Sequence, residues 1–238
     1  ALATTAASAQ VAGKATNAMD QQIASYLTQQ YQSNKNLADV HVAVEDRVVT
    51  LSGSVPSYRA KLDAIHDARQ VEAANGFVDH VRVLGPTVPD SQLQQNIASR
   101  LTYDRMGMGQ AFNALTVQVH AGVVSLGGEV RDYPGRDSAV DIAADTKGVK
   151  NVIDKIKVAP LSPMDDQIRY EAARAIYGNP TLLKYANNPA HTIRIVVNNG
   201  HVTLAGVVDS QVDKQVAGNA VRRLSGVFSV ANDLVVEH

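Results

Sequence analysis

The sequence predicts an α+β protein of three tandem α-β-β-α-β units, each a three-stranded mixed sheet with two helices on one face. Three observations carry that prediction. The segments Val48-Val-Thr-Leu-Ser-Gly-Ser-Val55, Val123-Val-Ser-Leu-Gly-Gly-Glu-Val130 and His201-Val-Thr-Leu-Ala-Gly-Val-Val208 repeat one pattern, and their glycines Gly53, Gly128 and Gly206 stand 75 and 78 residues apart. Ahead of each lies an alternating apolar stretch: Val40, Val42, Val44; Leu115, Val117, Val119; and Ile193, Ile195, Val197. That two-residue period is the mark of a strand buried on one face. Further upstream, Ile23/Leu27/Tyr31, Leu93/Ile97/Leu101 and Ile168/Ala172/Ile176 each lay one stripe along a helix.

Each element follows in order. The first helices open at Asp20, Asp90 and Asp165, where a carboxylate complements the helix dipole and caps free amides. Asp46-Arg47, Ala121-Gly122 and Asn199-Gly200 separate the two apolar stretches as tight hairpin turns, Asn-Gly being the strongest such signal because both central residues need positive φ. Ser57, Asp132 and Ser210 come next and can accept from the orphan amides of a second helix. Those helices are expected to run to Gly76, Gly148 and Gly226 and to end there in a left-handed cap. A third strand then carries Val78 and Val81, Val149 and Val152, or Val227 and Val230. Gly85-Pro-Thr-Val-Pro89 and Pro160-Leu-Ser-Pro163 hold two prolines each and mark connectors. The expected organisation is therefore a leader at 1–19, repeats at 20–84, 90–159 and 165–238, and linkers at 85–89 and 160–164.

Composition narrows the function. The 238 residues are 45% hydrophobic and 19% charged with net charge −1, and there is no Cys or Trp. Thiolate metal sites, a cysteine nucleophile and disulfides are thereby excluded. The balanced charge argues against nucleic acid as a partner, since phosphate neutralisation needs a basic excess. No run of about 18 apolar residues is present, so no transmembrane span is expected. Residues 1–19 are dominated by Ala, Ser and Thr. Ala1-Leu2-Ala3 and Ala7-Ser8-Ala9 resemble the end of a secretory signal, which points to export, with a plain disordered linker as the competing reading.

The ordered landmarks resemble the BON domain, named for bacterial osmotically inducible periplasmic and nodulation proteins. Its signature is an apolar strand, a turn, V-x-L-x-G-x-V, a capped helix, then G-V-x-x-V with a later Asn or Asp and an aliphatic. Repeat two supplies Gly148-Val-Lys-Asn-Val152 with Asp154 and Ile156, and repeat three Gly226-Val-Phe-Ser-Val230 with Asn232 and Leu234. Repeat one departs, with Phe77 between Gly76 and Val78 and with Val83 where the polar residue is due. The resemblance implies a non-enzymatic module of the bacterial envelope associated with phospholipid membranes or envelope stress. Its shared residues are apolar or turn-forming and transfer no binding site.

The residues themselves show no catalytic constellation. His41, His120 and His201 fall on strands or beside turns, His66 and Asp67 are helix neighbours that do not face each other, and no H-x-x-x-H pair occurs. Met106-Gly-Met-Gly109 follows a helix and precedes a strand, the reverse of a dinucleotide fingerprint. No metal or cofactor is expected. The irregular segments are instead apolar: Tyr103, Met106, Met108 and Phe112 in repeat two, and Tyr177, Leu182, Leu183 and Tyr185 in repeat three. They either plug the ends of the cores and the contacts between repeats or form an exposed rim that docks lipid or a partner. Lys147, Lys150, Lys155 and Lys157, together with Arg222 and Arg223, offer basic support at helix ends. The expected function is non-catalytic binding at the envelope, to anionic phospholipid or envelope proteins; the alternative is a soluble periplasmic stress-related or chaperone-like protein without direct lipid binding.

Overall fold

The computed structural model describes residues 18–103 and 111–237. The chain divides into two compact units, one of residues up to Leu84 and one from Gly85 onward, with residues 57–59 counted to the second. The first unit holds one repeat: α1 (Ala18–Ser33), β1 (Val40–Glu45), β2 (Val48–Val55), α2 (Tyr58–Arg69), β3 (Gly76–Asp79) and β4 (Arg82–Val83). The second unit holds two. Repeat two comprises α3 (Asp90–Tyr103), β5 (Ala114–His120), β6 (Val123–Val130), α4 (Tyr133–Ala144), β7 (Asn151–Asp154) and β8 (Lys157–Val158). Repeat three comprises α5 (Pro163–Tyr177), β9 (Arg194–Asn198), β10 (His201–Val208), α6 (Gln211–Arg222) and β11 (Ser229–Val236).

Every sheet is mixed and has its second strand in the middle. β2, β6 and β10 run antiparallel to the strand before them and parallel to the strand after the crossover helix. The inward residues of the shared motif are buried in all three copies: Val49, Leu51 and Val55; Val124, Leu126 and Val130; Val202, Leu204 and Val208. In repeat one they meet Ile23, Leu27 and Tyr31 of α1 and Ala60, Ala64 and Ala68 of α2 in one core, so both helices cover the same face. In repeat three Ile168, Ala172 and Ile176 of α5 and Ala217 and Val221 of α6 do the same. The motif glycine has its own reason. Gly53, Gly128 and Gly206 have φ of 98°, 93° and 126°, and a Cβ at each would strike the carbonyl oxygen of Asp39, Ala114 or Thr192, at or just ahead of the start of the neighbouring strand.

The hairpin turns have left-handed backbone at both central positions, at Asp46 and Arg47, Ala121 and Gly122, and Asn199 and Gly200, as a two-residue turn matched to strand twist requires. Here the acids at the helix starts find a different role from the expected one. The Asp20 carboxylate accepts from the amides of Asp46 (3.2 Å) and Arg47 (2.9 Å), Asp90 from Ala121 (2.7 Å) and Gly122 (2.9 Å), and Asp165 from Asn199 (2.9 Å) and Gly200 (2.8 Å). Each acid clamps the turn of its own repeat. Capping of α5 falls to Ser162, which accepts from the Asp165 amide, while Asp132 and Ser210 cap α4 and α6 as expected.

Two further expectations are corrected. The second helices stop short of the glycines: α4 and α6 end at right-handed caps, Asp145 and Arg223, and Gly148 and Gly226 take up left-handed backbone three residues later. Gly76 is not left-handed and is not their counterpart. The strand register pairs Val48 with Gly76, Val123 with Asn151 and His201 with Ser229. Gly76 thus matches Asn151 and Ser229, and Ala73 stands where the other repeats have glycine. The same register aligns Asp79, Asp154 and Asn232, opposite Leu51, Leu126 and Leu204. Repeat one does carry the polar residue of the motif, at Asp79 and not at Val83.

Candidate binding surface at the hairpin end of the repeats

The apolar residues singled out in the sequence separate into two groups. Phe112, Leu182 and Tyr185 are 3%, 0% and 1% exposed and belong to the core of repeat three, so they are plugs and not a rim. Tyr177 packs against the same core and donates its hydroxyl proton to the carbonyl of Ile193 at 2.6 Å. Tyr103 and Leu183 are exposed, as are Lys147 and Lys150. Met106 and Met108 lie outside the described residues.

Phe112 belongs to the segment ahead of β5 in repeat two, yet it enters the core of repeat three. Its ring meets Tyr170 of α5 edge-on at 5.5 Å, a favoured aromatic geometry. The Arg131 guanidinium lies over both rings and reaches Asp166 at 3.2 Å and the Tyr170 hydroxyl at 3.1 Å. Burial opposes ionisation of Asp166, but hydrogen bonds from Arg131 and Arg169 outweigh it and hold the carboxyl below its ordinary range. This junction is internally satisfied and leaves nothing free for a ligand.

A second polar cluster is likewise closed. Lys184 Nζ meets Asp209 at 2.7 Å and Asp213 at 3.0 Å, and the Tyr185 hydroxyl donates to Asp213 at 2.7 Å while accepting from the Asp209 amide at 2.8 Å. His191 faces Asp209 through Nδ1 at 3.3 Å and Glu237 through Nε2 at 3.4 Å. Among the described residues no group of three His, Cys, Asp or Glu side chains is placed to hold a metal ion. No described helix is long and apolar enough to cross a membrane.

What remains open is the hairpin end, where the turn, the start of the first helix, the end of the second helix and the start of the third strand converge. In repeat three the Phe228 ring lies over Gly200, leaving no room there for a Cβ, and is 77% exposed. His201 tilts against it at 6.0 Å. Met164 (67% exposed) adjoins Asp165, which clamps this turn, and Leu161 (96% exposed) lies just ahead of the Ser162 cap. Arg222 ends α6 and Arg223 follows as its C-terminal cap, both exposed; Arg222 bonds Asn219 at 3.2 Å, and neither pairs with a carboxylate among the described residues. The acids nearby are spent, Asp165 on turn amides and Asp166 on Arg131 and Arg169.

Repeat two has a lysine at the corresponding place. The stem of Lys150 lies over Gly122 as the Phe228 ring lies over Gly200, beside a shallow cleft formed with Val88, Asp90 and Gly148. Amides of Gly122 and Ala121 hold the Asp90 carboxyl below its ordinary range, with smaller help from His120 and Lys150. Phe228, Met164 and Leu161 escaped the reading of the sequence. The available signal was Phe228 itself, a large apolar residue at a place where alignment with Lys150 calls for solvent.

The chain belongs to the BON domain family, whose model matches residues 19–85, 89–160 and 181–238. The third match starts beyond α5, yet that helix clamps the repeat-three turn as α1 and α3 clamp theirs. Among curated proteins the chain is similar to osmotically-inducible protein Y of Escherichia coli (strain K12), 28% identical over 123 residues, covering 50% of this chain and 60% of that protein. The chain therefore matches less than two thirds of that relative's length. Two solved structures of CdsD, a structural protein of the type III secretion system of Chlamydia trachomatis, align over 91% of this chain at 13% identity; they cover 96% and 91% of those chains, with TM-scores of 0.26 and 0.25, too low to carry an argument.

Proposed function

We propose that this is a non-catalytic periplasmic protein of the osmotic-stress response that associates with the bacterial envelope by docking on anionic phospholipid. The observation that carries the reading is the hairpin end of repeat three. Exposed Phe228 lies over the turn glycine Gly200, and exposed Met164 and Leu161 flank the start of the helix whose Asp165 clamps that turn. The exposed cations Arg222 and Arg223, which pair with no carboxylate among the described residues, stand at the end of α6, six and five residues ahead of Phe228 in sequence. Apolar side chains of this kind enter the headgroup boundary, and nearby basic residues add attraction to an anionic leaflet. Similarity to an osmotically-inducible protein supports the cellular setting.

Co-sedimentation with vesicles tests it. The protein should pellet with phosphatidylglycerol vesicles, weakly with phosphatidylcholine alone, and less as salt rises. Each basic residue near an anionic surface contributes about 1 kcal/mol, so Arg222→Ala with Arg223→Ala should weaken binding roughly 30-fold. Phe228→Ala should weaken it about tenfold while leaving the thermal midpoint in place, because the ring is on the surface. Absence of pelleting at every phosphatidylglycerol content, or variants that bind like the parent, would sink the proposal in favour of a soluble chaperone-like role.

A further inference from the structure

The chain holds two Asn-Gly steps, Asn75-Gly76 and Asn199-Gly200, and the fold treats them in opposite ways. Such a step is chemically labile, because a glycine has no Cβ to hinder attack by its amide nitrogen on the Cγ of the preceding asparagine. The N–Cγ bond forms, the side-chain nitrogen leaves as ammonia, and water opens the cyclic imide to aspartate or isoaspartate. Two conditions favour the reaction: a glycine amide free to give up its proton, and hydrogen-bond donors on the carboxamide oxygen, where negative charge develops.

Asn199-Gly200 fails the first condition. Gly200 donates its amide proton to Asp165 at 2.8 Å, and Asn199 gives its own to the same carboxylate at 2.9 Å. A charge-assisted bond to a buried carboxylate holds the proton in place, and the carboxylate repels the negative charge that attack would create. Gly200 is itself buried beneath the Phe228 ring, and Asn199 Nδ2 is tied to Asn198 Oδ1 at 3.0 Å. The clamp thus shields a labile step that the hairpin turn requires.

Asn75-Gly76 meets both. Asn75 lies in an exposed bend, and Gly76 opens β3 at the end of its sheet. Asn75 gives its amide to the Arg47 carbonyl at 2.7 Å, so the Gly76 amide, next along the chain, points away from β2 toward the side that no strand occupies. In the orientation that satisfies its carboxamide, Asn75 Oδ1 accepts from Arg47 Nη2 at 3.0 Å and from Nε at 3.1 Å. The fold does not demand glycine at this place. A Cβ on Gly76 would meet only the Val48 methyls, at 3.6 Å, and the counterparts in the other repeats are Asn151 and Ser229. We propose that Asn75 is a site of spontaneous deamidation in the folded protein, and that the Asp165 clamp protects Asn199 from the same reaction. The aspartyl product would face Arg47 as a two-bonded ion pair. The isoaspartyl product would add a methylene to the main chain and spoil the Val48–Gly76 register.

Peptide mapping by mass spectrometry on the full chain, incubated at mildly alkaline pH and sampled over weeks, provides the test. The same chain unfolded in guanidinium chloride gives the intrinsic rates, which should be similar at the two steps. In the folded chain Asn75 should convert, and Asn199 should convert roughly 100-fold more slowly than Asn75. Gly76→Ser, the residue at the matching place in repeat three, should suppress conversion of Asn75 and leave the thermal midpoint in place. Asp165→Asn keeps an acceptor for the turn and removes its charge; it should speed conversion of Asn199 about tenfold without touching Asn75. A thermal midpoint well above the incubation temperature confirms that this variant reacts as a folded chain. Asn75 left intact in the folded chain after the unfolded chain has converted overturns the proposal, as does folded Asn199 reacting as fast as Asn75. An Asp165→Asn chain in which Asn199 stays inert overturns the protection assigned to the clamp.

Discussion

Repeats two and three invite residue-by-residue comparison, because their central strands pair with the third strand in the same register and their turns are clamped by the same acid. The differences are concentrated on the surface. Lys150 and Phe228 lie over equivalent turn glycines, one charged and one aromatic. Asp154 and Asn232 stand at equivalent places in the third strand. An aspartate only accepts hydrogen bonds, so it folds back on a nearby amide and recruits a cation; an asparagine also donates, and it ties the strand to a helix carbonyl instead. One framework has therefore acquired two kinds of surface by single substitutions at exposed or half-buried positions, while the Val, Leu and Gly that shape the core are retained.

The largest disturbance to that comparison comes from Phe112, where repeat two is built into repeat three. Phe112→Ala removes a ring that is 3% exposed from the core of its neighbour. The expected loss is about 3–4 kcal/mol, the range for burying and then deleting an aromatic side chain. Circular dichroism under urea should show a lower midpoint and, since the junction is weakened, separable unfolding of the two repeats. A single transition at the parental midpoint would show that Phe112 does not couple them.

The acid clamp sharpens the comparison next. Asp165 is 2% exposed and receives two turn amides, so Asp165→Ala should cost roughly 2–3 kcal/mol by leaving those donors without their charged acceptor. Asp90→Ala should cost less, because Asp90 is more open to water that can replace the carboxylate. Acid titration gives the sign for Asp90. Its folded-state pKa is depressed by the Gly122 and Ala121 amides, so its contribution is present above the ordinary carboxylate range and is lost as pH falls through the depressed value. Thermal midpoints of the parent and Asp90→Asn should converge as pH drops through that window. A gap that stays constant with pH would contradict the clamp.

The repeats were legible in the sequence because inward side chains recur every second residue and a motif glycine marks the same crowded spot three times. Asp20, Asp90 and Asp165 were legible as recurrent but not as turn clamps, since the amides they bind lie about thirty positions downstream and nothing local distinguishes a cap from a clamp. Gly76 misled for a related reason. Like Gly148 and Gly226 it stands between a helix and a valine-bearing strand, and only strand pairing shows that Ala73 holds their place. The fate of Phe112, Leu182 and Tyr185 depended on which core accepts them, which apolar composition does not specify. Phe228 was hidden inside a pattern read as a strand, although its neighbour in the fold is a turn glycine.

Asn232→Asp is the smallest change and the most direct test of why β11 is continuous. The new carboxylate loses the donated bond to the Lys214 carbonyl but gains Lys214 Nζ as a counter-ion, reproducing the Asp79–Lys61 pair of repeat one. Those effects oppose each other, so the net cost should stay within about 1 kcal/mol. The expected signature is local: faster hydrogen exchange at Asp233 and Leu234, where the strand would now break, with protection in β10 retained. The converse change, Asp154→Asn, should slow exchange at Lys155 and Ile156 by letting β7 and β8 join. If both substitutions leave exchange untouched, strand continuity is set by the wider sheet and not by the hydrogen-bonding capacity of this one side chain.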